Sequence, residues 1–323
     1  MLRTLSLCAL AIPAFAQPEL YATGNLASSY VVGSRPAASG LFYRTPAGTW
    51  EHPGYNLPIL STITFDPHTP DAVFIAAGNG LIRATNHGTR WTILTGSDVT
   101  ELRDVIIDNN GAIYFAYVHG IRMSRDNGKT WTEIATHLRR KFTESLRIAK
   151  DGALIAGTED GLWRSTDSGK SWQLAGASGF QIMRLEASPQ DGCRLLAAAQ
   201  QGGLWSSRDC GRTFENAGSL GVGRNLYDIA FDPTQAGRIA VAGFGPGVAV
   251  STDDGKTWTL RNSGIAVHEA TSVIFDPTHS GRLYAAILND AVYVSDDAGV
   301  TWTKAGMEGS HITCLRFRTE VRP

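Results

Sequence analysis

The chain has 323 residues, with 29 Lys and Arg against 30 Asp and Glu, a formal charge of −1. That balance gives no general attraction to nucleic acid or to an anionic membrane surface, and no apolar run is long enough to span a bilayer. Thirty-five glycines and no long helical periodicity describe a turn-rich, all-β chain.

Residues 1–16, "MLRTLSLCALAIPAFA", place Arg3 before an apolar core and end in Ala14-Phe15-Ala16. This is the layout of a secretory signal peptide cleaved before Gln17, and it predicts a secreted or periplasmic protein with residues 17–323 as the mature chain. Loss of Arg3 takes the formal charge to −2. A lipoprotein anchor at Cys8 is set aside, because Leu7 is not a small residue and seven residues make no proper signal.

Residues 20–52 read as a hairpin and a last strand with no first strand before them, closing with "TPAGTW" at Trp50. From there a longer version of that ending recurs, with aromatic ends at Trp91, Trp131, Trp172, Phe214, Trp258 and Trp302, spaced 40 to 44 residues apart. Units of this length match one four-stranded propeller blade each. Within a unit, a strand such as "LYDIAFDP" (226–233) stops at Asp-Pro. A hairpin follows, with Asn79-Gly80 or Asp160-Gly161 expected at its bend. The recurring eight-residue ending comes next, and a short strand such as "WTIL" (91–94) closes the unit. The chain finishes with "HITCLRFRTE" (311–320), a first strand with no hairpin after it. The prediction is a seven-bladed β-propeller of four-stranded antiparallel blades, its ring closed by the C-terminal strand joining the N-terminal blade, which leaves only short protected edges.

The octet is "SRDNGKTW" at 124–131, "STDSGKSW" at 165–172, "SRDCGRTF" at 207–214, "STDDGKTW" at 251–258 and "SDDAGVTW" at 295–302. Its columns hold a hydroxyl (Ser124, Ser165, Ser207, Ser251, Ser295), a carboxylate (Asp126, Asp167, Asp209, Asp253, Asp297), a glycine (Gly128, Gly169, Gly211, Gly255, Gly299) and a ring (Trp131, Trp172, Phe214, Trp258, Trp302). "ATNHGTRW" (84–91) is a degraded copy. These residues resemble the Asp-box, or BNR-repeat, propellers, whose signature is S/T-x-D-x-G-x-T-W. The resemblance covers essentially the whole mature chain and implies the fold. Sialidases, xyloglucanases, sortilin-type receptors and photosystem II assembly factors share it, and this chain's single-propeller length is similar to the assembly factors.

Physically the octet reads as a hairpin fastening. Asp accepts from nearby backbone N–H groups, Gly takes a conformation closed to other residues, and the ring packs against the hairpin. Calcium binding at Asp253 and Asp254 is not expected, because the further oxygen ligands and terminal Glu of a calcium loop are missing. No cofactor or metal is expected.

Three cysteines follow the signal segment. With the bend centred on "QQGG" (200–203), paired residues sum to 403, which puts Cys193 opposite Cys210 and predicts a structural disulfide. Cys314 is left as a buried strand residue. Three other stretches carry no site. "GFGPGV" (243–248) is a hairpin rather than a phosphate loop, "YRTP" (43–46) is not on an inner strand, and the basic "HLRRK" (137–141) is a solvated interblade loop.

Repeats carry an internal control, since positions alike in every blade hold the fold and positions that differ are free to form a site. Aligning the first strands on Phe65, Ile107, Ile148, Ala187, Phe231, Phe275 and Phe317 exposes two variable columns. One reads Ser61, Arg103, Glu144, Met183, Tyr227, Thr271, Thr313; the next reads Thr62, Asp104, Ser145, Arg184, Asp228, Ser272, Cys314. Glu101, Asn225, Glu269 and His311 lie just before them. The expected binding site is one mouth of the central channel, formed by Glu101, Arg103, Asp104, Glu144, Arg184, Tyr227, Asp228, Glu269 and His311. A non-catalytic, monomeric propeller binding a protein, peptide or glycan is the favoured reading. The alternative is a glycoside hydrolase using two of Asp104, Glu144, Asp228 and Glu269.

Overall fold

The computed structural model describes residues 18–26, 38–54, 56–57, 59–69, 71–86, 88–136, 138, 142–220 and 223–318. The expected signal segment and all of the basic loop 137–141 except Leu138 lie outside the described residues. Among the described residues, 28 strands form seven four-stranded antiparallel sheets, with one short 3-10 turn at Gly218–Leu220 as the helical content. Six blades take their four strands from consecutive sequence, as in Thr143–Ile148, Leu154–Thr158, Gly161–Ser165 and Gln173–Gly176. The seventh pairs the C-terminal strand His311–Arg318 with Glu19–Asn25, then Ser39–Arg44 and Trp50–Glu51. We number this composite blade 1 and the others 2 to 7 in chain order. The chain therefore closes its own ring, as its two incomplete ends predict.

The core lies between blades. One cluster joins Ala240, Val248 and Val250 of blade 6 to Val273, Leu283 and Ala285 of blade 7, and each neighbouring pair has its counterpart. A sheet covered on both faces needs apolar residues on both, so the second strands read as unbroken apolar runs. "VFIAA", "IYFAY" and "LLAAA" are buried at every position.

The octets fasten adjacent turns. In blade 6 the Ser251 hydroxyl donates to Asp253 at 2.8 Å and accepts from the Gly255 N–H at 2.9 Å, while Asp253 accepts from the Thr257 N–H (2.9 Å) and hydroxyl (2.6 Å). The same bonds recur around Asp126, Asp167, Asp209 and Asp297. Two details differ from the sequence reading. The residue before the glycine is left-handed as well (Asn127 φ 61°, Asp254 φ 61°). The ring does more than pack on its own hairpin, because Trp131 Nε1 donates to Leu94 O (3.0 Å), Trp172 to Ile134 O (2.9 Å), Trp302 to Arg261 O (2.8 Å) and Trp50 to Ala305 O (2.7 Å), each in the preceding blade. These four tryptophans are thus interblade fasteners, whereas Trp258 Nε1 donates to Gly255 O at 3.1 Å within its own turn.

The hairpin bends fall one residue earlier than expected. Gly80 pairs with Ala77 and Gly161 with Thr158, so the bends are residues 78–79 and 159–160, and within each dipeptide only the glycine has positive φ (127° and 103°). Blade 5 likewise pairs residues summing to 402, as in Leu195 with Ser207. Cys193 and Cys210 nevertheless form the disulfide. They lie beyond the paired strands Leu195–Ala199 and Gly203–Ser207, where the Cys210 N–H donates to Cys193 O at 3.1 Å and draws the two turns together. Cys314 is buried and unpaired, as expected.

Candidate functional site

The seven inner strands are His311–Arg318, Leu60–Phe65, Leu102–Ile107, Thr143–Ile148, Ile182–Ala187, Asn225–Phe231 and Ala270–Phe275. They contact one another in a closed circle around the channel. In six blades the register to the second strand slips on either side of one residue, namely Ser61, Arg103, Glu144, Met183, Tyr227 and Thr271. Blade 1 does the same at Thr313. The first variable column is therefore a ring of β-bulges, and a bulged residue is left out of the ladder and re-aimed.

What the bulge presents divides the ring in two. In blades 7, 1 and 2 it is a hydroxyl that donates to a carbonyl at the start of the next inner strand: Thr271 to Ile312 O (2.6 Å), Thr313 to Leu60 O (2.8 Å) and Ser61 to Leu102 O (2.7 Å). In blades 3 to 6 it is the long side chain of Arg103, Glu144, Met183 or Tyr227. These four form a crescent along one side of a cavity of about 410 Å³ at the channel mouth, opposite the short side chains. The Arg103 guanidinium lies 5.1 Å from the Phe142 ring centroid and 3.7 Å from Glu144. Gln181 donates to Glu144 at 2.8 Å, and the Tyr227 and Phe244 ring centroids are 4.4 Å apart. Burial pushes the Glu144 carboxyl and the Tyr227 phenol up, and pulls the His311 imidazole down toward its neutral form.

The second variable column is largely structural. Asp104 accepts from the Leu146 N–H (2.9 Å) and the Ser145 hydroxyl (3.0 Å) of the next blade, and from its neighbour Val105 N–H (3.0 Å). Asp228 does the same with Val273 N–H (3.1 Å), Ser272 (2.6 Å) and Ile229 N–H (3.0 Å). Ser145 and Ser272 in turn accept from the Leu185 and Leu315 N–H groups at 3.1 and 3.0 Å. Both aspartates also belong to an ion cluster across the channel. Glu186 receives Arg147 (2.5 and 3.1 Å), Arg184 (2.8 and 3.0 Å) and Arg316 (3.4 Å), while Arg147 reaches Asp104 (3.1 Å) and Arg184 reaches Asp228 (3.5 Å). Burial pulls the Arg184 guanidinium down, but Glu186, Asp104 and Asp228 outweigh it and hold it above the ordinary arginine range. For Asp228 burial prevails over Arg184, and its carboxyl rises to about 6.

Of the nine expected residues, Arg103, Glu144, Tyr227 and His311 line the mouth, with Arg184 and Asp228 at its floor. Asp104 lines the opposite cavity instead, because its carboxylate turns toward Arg147. Glu101 and Glu269 are exposed and do not line the mouth cavity. Glu101 lies 3.8 Å from Arg103, and Glu269 is held in a bridge to Phe244. Arg147, Glu186 and Arg316 escaped the sequence reading. They stand two residues beyond the second column, where Thr64, Ile106, Arg147, Glu186, Ala230, Ile274 and Arg316 vary just as widely. Among the described residues no group of three or more His, Cys, Asp or Glu gathers to hold a metal. Asp253 is satisfied within its turn, and Asp254 faces Arg194 and Arg208.

The family model of the BNR/Asp-box repeat matches residues 293–304. No curated protein matches the sequence significantly. Among solved structures, the chain is similar to a GH74 enzyme of Niastella koreensis (16% identity, TM-score 0.70, covering 88% of this chain and 52% of that one). It is also similar to the extracellular domain of a putative hybrid two-component system from B. thetaiotaomicron (13%, 0.65, 90% and 38%) and to YCF48 bound to D1 peptide (19%, 0.58, 77% and 82%). The chain spans about half the length of the GH74 enzyme. At such identities the likeness is one of fold, and 1331 solved chains match, so backbone similarity does not select a function. The chain is a seven-bladed β-propeller carrying the BNR/Asp-box repeat.

Proposed function

We propose that this is an exported, non-catalytic binding propeller that takes a protein, peptide or glycan segment at the channel mouth. The observation that carries the reading is the crescent of Arg103, Glu144, Met183 and Tyr227 on four consecutive bulges, facing a side of short residues. Bulged positions are free of the ladder, so these side chains are presented to a ligand without loss of sheet bonds. The crescent combines a cation stacked on an aromatic, a carboxyl whose pKa burial raises, a thioether and a phenol, which suits an extended chain with mixed side groups. That one similar propeller is seen with a peptide bound and another is an extracellular domain agrees with this reading. No helix among the described residues is long and apolar enough to cross a membrane.

The test is affinity capture from the native cell envelope with the wild-type chain and with an Arg103→Ala, Tyr227→Ala double variant of matched thermal stability. Loss of a specific partner from the variant supports the mouth as the site, and identical capture by both rejects it.

A glycoside hydrolase is the second reading, favoured by the raised carboxyls of Glu144 and Asp228. Against it, both oxygens of Asp228 already serve the Ile229 and Val273 N–H groups and Ser272, whereas glycosidases need two carboxyls addressed to the sugar. Reproducible turnover of aryl-glycosides or polysaccharides, abolished by Asp228→Asn, would overturn the preferred reading.

A further inference from the structure

The channel has a second opening, and nothing in the binding reading above uses it. At the ends of the inner strands lies a cavity of about 950 Å³, and Arg184 and Arg316 line both this cavity and the mouth, so the ion cluster forms a floor common to the two. The wall above that floor is apolar. Phe65, Ile107, Ile148, Phe231 and Phe317 come from five different blades, and all are half-buried rather than covered.

The charges in this funnel are unequally committed. Its carboxylates are consumed. Asp104 is held by two backbone N–H groups, Ser145 and Arg147, and Glu186 by three guanidiniums. Asp108 accepts from the Asn110 and Ala112 N–H groups (2.9 and 2.8 Å) and from Tyr114 (3.3 Å). Arg147, Arg184 and Arg316 are consumed with them. Two further cations, Arg125 on blade 3 and Lys150 on blade 4, also line the funnel, are exposed, and form no ion pair among the described residues. Asn109 and Asn110 supply amide groups on the same side.

We infer that this funnel is a second binding site, independent of the mouth, for an acidic peptide segment that inserts one large apolar side chain. The half-buried phenylalanines and isoleucines give that side chain an apolar environment. Arg125 and Lys150 meet carboxylates flanking it, and the asparagine amides meet its backbone. Arg147, Arg184 and Arg316 balance Asp104, Glu186 and Asp228, and Asp108 is the one funnel carboxylate whose charge is held by neutral donors alone, so Arg125 and Lys150 leave the opening net positive toward an anionic ligand.

The probe is the labelled peptide Asp-Glu-Phe-Asp-Glu, acetylated and amidated, compared with Asn-Gln-Phe-Asn-Gln and Asp-Glu-Gly-Asp-Glu by fluorescence anisotropy at low ionic strength, with amide shifts to locate it. Saturable binding is expected, with shifts around Ile107, Ile148 and Phe231. Affinity should fall at least about ten-fold in the neutral peptide, in the glycine peptide and in an Arg125→Ser, Lys150→Ser variant. An Arg103→Ala, Tyr227→Ala variant should bind unchanged, which separates this site from the mouth. Absence of saturation at millimolar peptide, equal binding of either control peptide, or dependence on Arg103 and Tyr227 would overturn the inference.

Discussion

Replacing Glu186 with Gln tests whether the cluster in the channel holds the ring together. Three guanidiniums and the carboxylates of Asp104, Glu186 and Asp228 cancel in charge, and Glu186 alone takes five N–H contacts between 2.5 and 3.4 Å from three arginines. Gln keeps the shape, removes the charge, and turns an NH2 group toward donors that need an acceptor. Breaking a buried ion pair from one side costs about 3–5 kcal/mol. The Glu186 side chain is 21% exposed, so water offsets part of this and a loss of about 3 kcal/mol is expected. For a chain of this size that is roughly 5 °C in melting temperature, read by tryptophan fluorescence or circular dichroism. Glu186→Ala should lose more and should recover with acetate, which refills the carboxylate position and returns about 1.4 kcal/mol at ten times its Kd. The reasoning is refuted if Glu186→Gln melts with the wild type, or if acetate does no more for Glu186→Ala than sodium chloride at equal ionic strength.

Other consequences concern closure, the disulfide and pH. A Cβ at Gly24 would lie 2.3 Å from the His311 carbonyl oxygen and 2.8 Å from Ile312 Cα. Gly24→Ala should therefore push the closing strand away, lowering the unfolding free energy measured in urea by about 1–3 kcal/mol and exposing residues near 311 to limited proteolysis. Removing the Cys193–Cys210 bridge, whose cysteines are 17 residues apart, should lower stability by at most about 3 kcal/mol. The thiol of Cys314, pushed up to about 11 by burial, should react only on unfolding. Hydrogen bonds from Ser171 and Ser165 hold the Asp167 carboxyl at about 2, and those from Thr257 and Ser251 do the same for Asp253. Their contribution is present above the ordinary 3.8 and lost as pH falls through 2, so acid unfolding is expected in that interval and should begin at higher pH in Thr257→Ala. Asp228 has the opposite sign. Its folded value of about 6 exceeds 3.8, so its contribution is full below 3.8 and lost as pH rises through 6. Asp228→Asn should accordingly flatten stability between those values.

Much of the fold was legible because it is local and repeated. Seven aromatic endings, a strand period of two and two incomplete ends are enough to count blades and close the ring, since each blade obeys the same short-range rules. The same locality explains the small errors. A one-residue change of register in blade 5 left Cys193 and Cys210 as partners only because both sit outside the ladder, where turns bring them together.

The site was legible only as a set of variable columns. Alternation along a strand shows that Arg103 and Asp104 point different ways, but not that one is lifted onto a bulge facing the mouth while the other stitches two blades. The blade number, the closure and the fastening octets all follow from short-range patterns along the chain. Tertiary structure decided which charges meet. Arg316 and Glu186 are 130 residues apart and approach within 3.4 Å only because a closed ring of seven brings inner strands face to face across a narrow channel. No periodicity along the chain encodes that distance, whereas the electrostatics of both cavities depend on it.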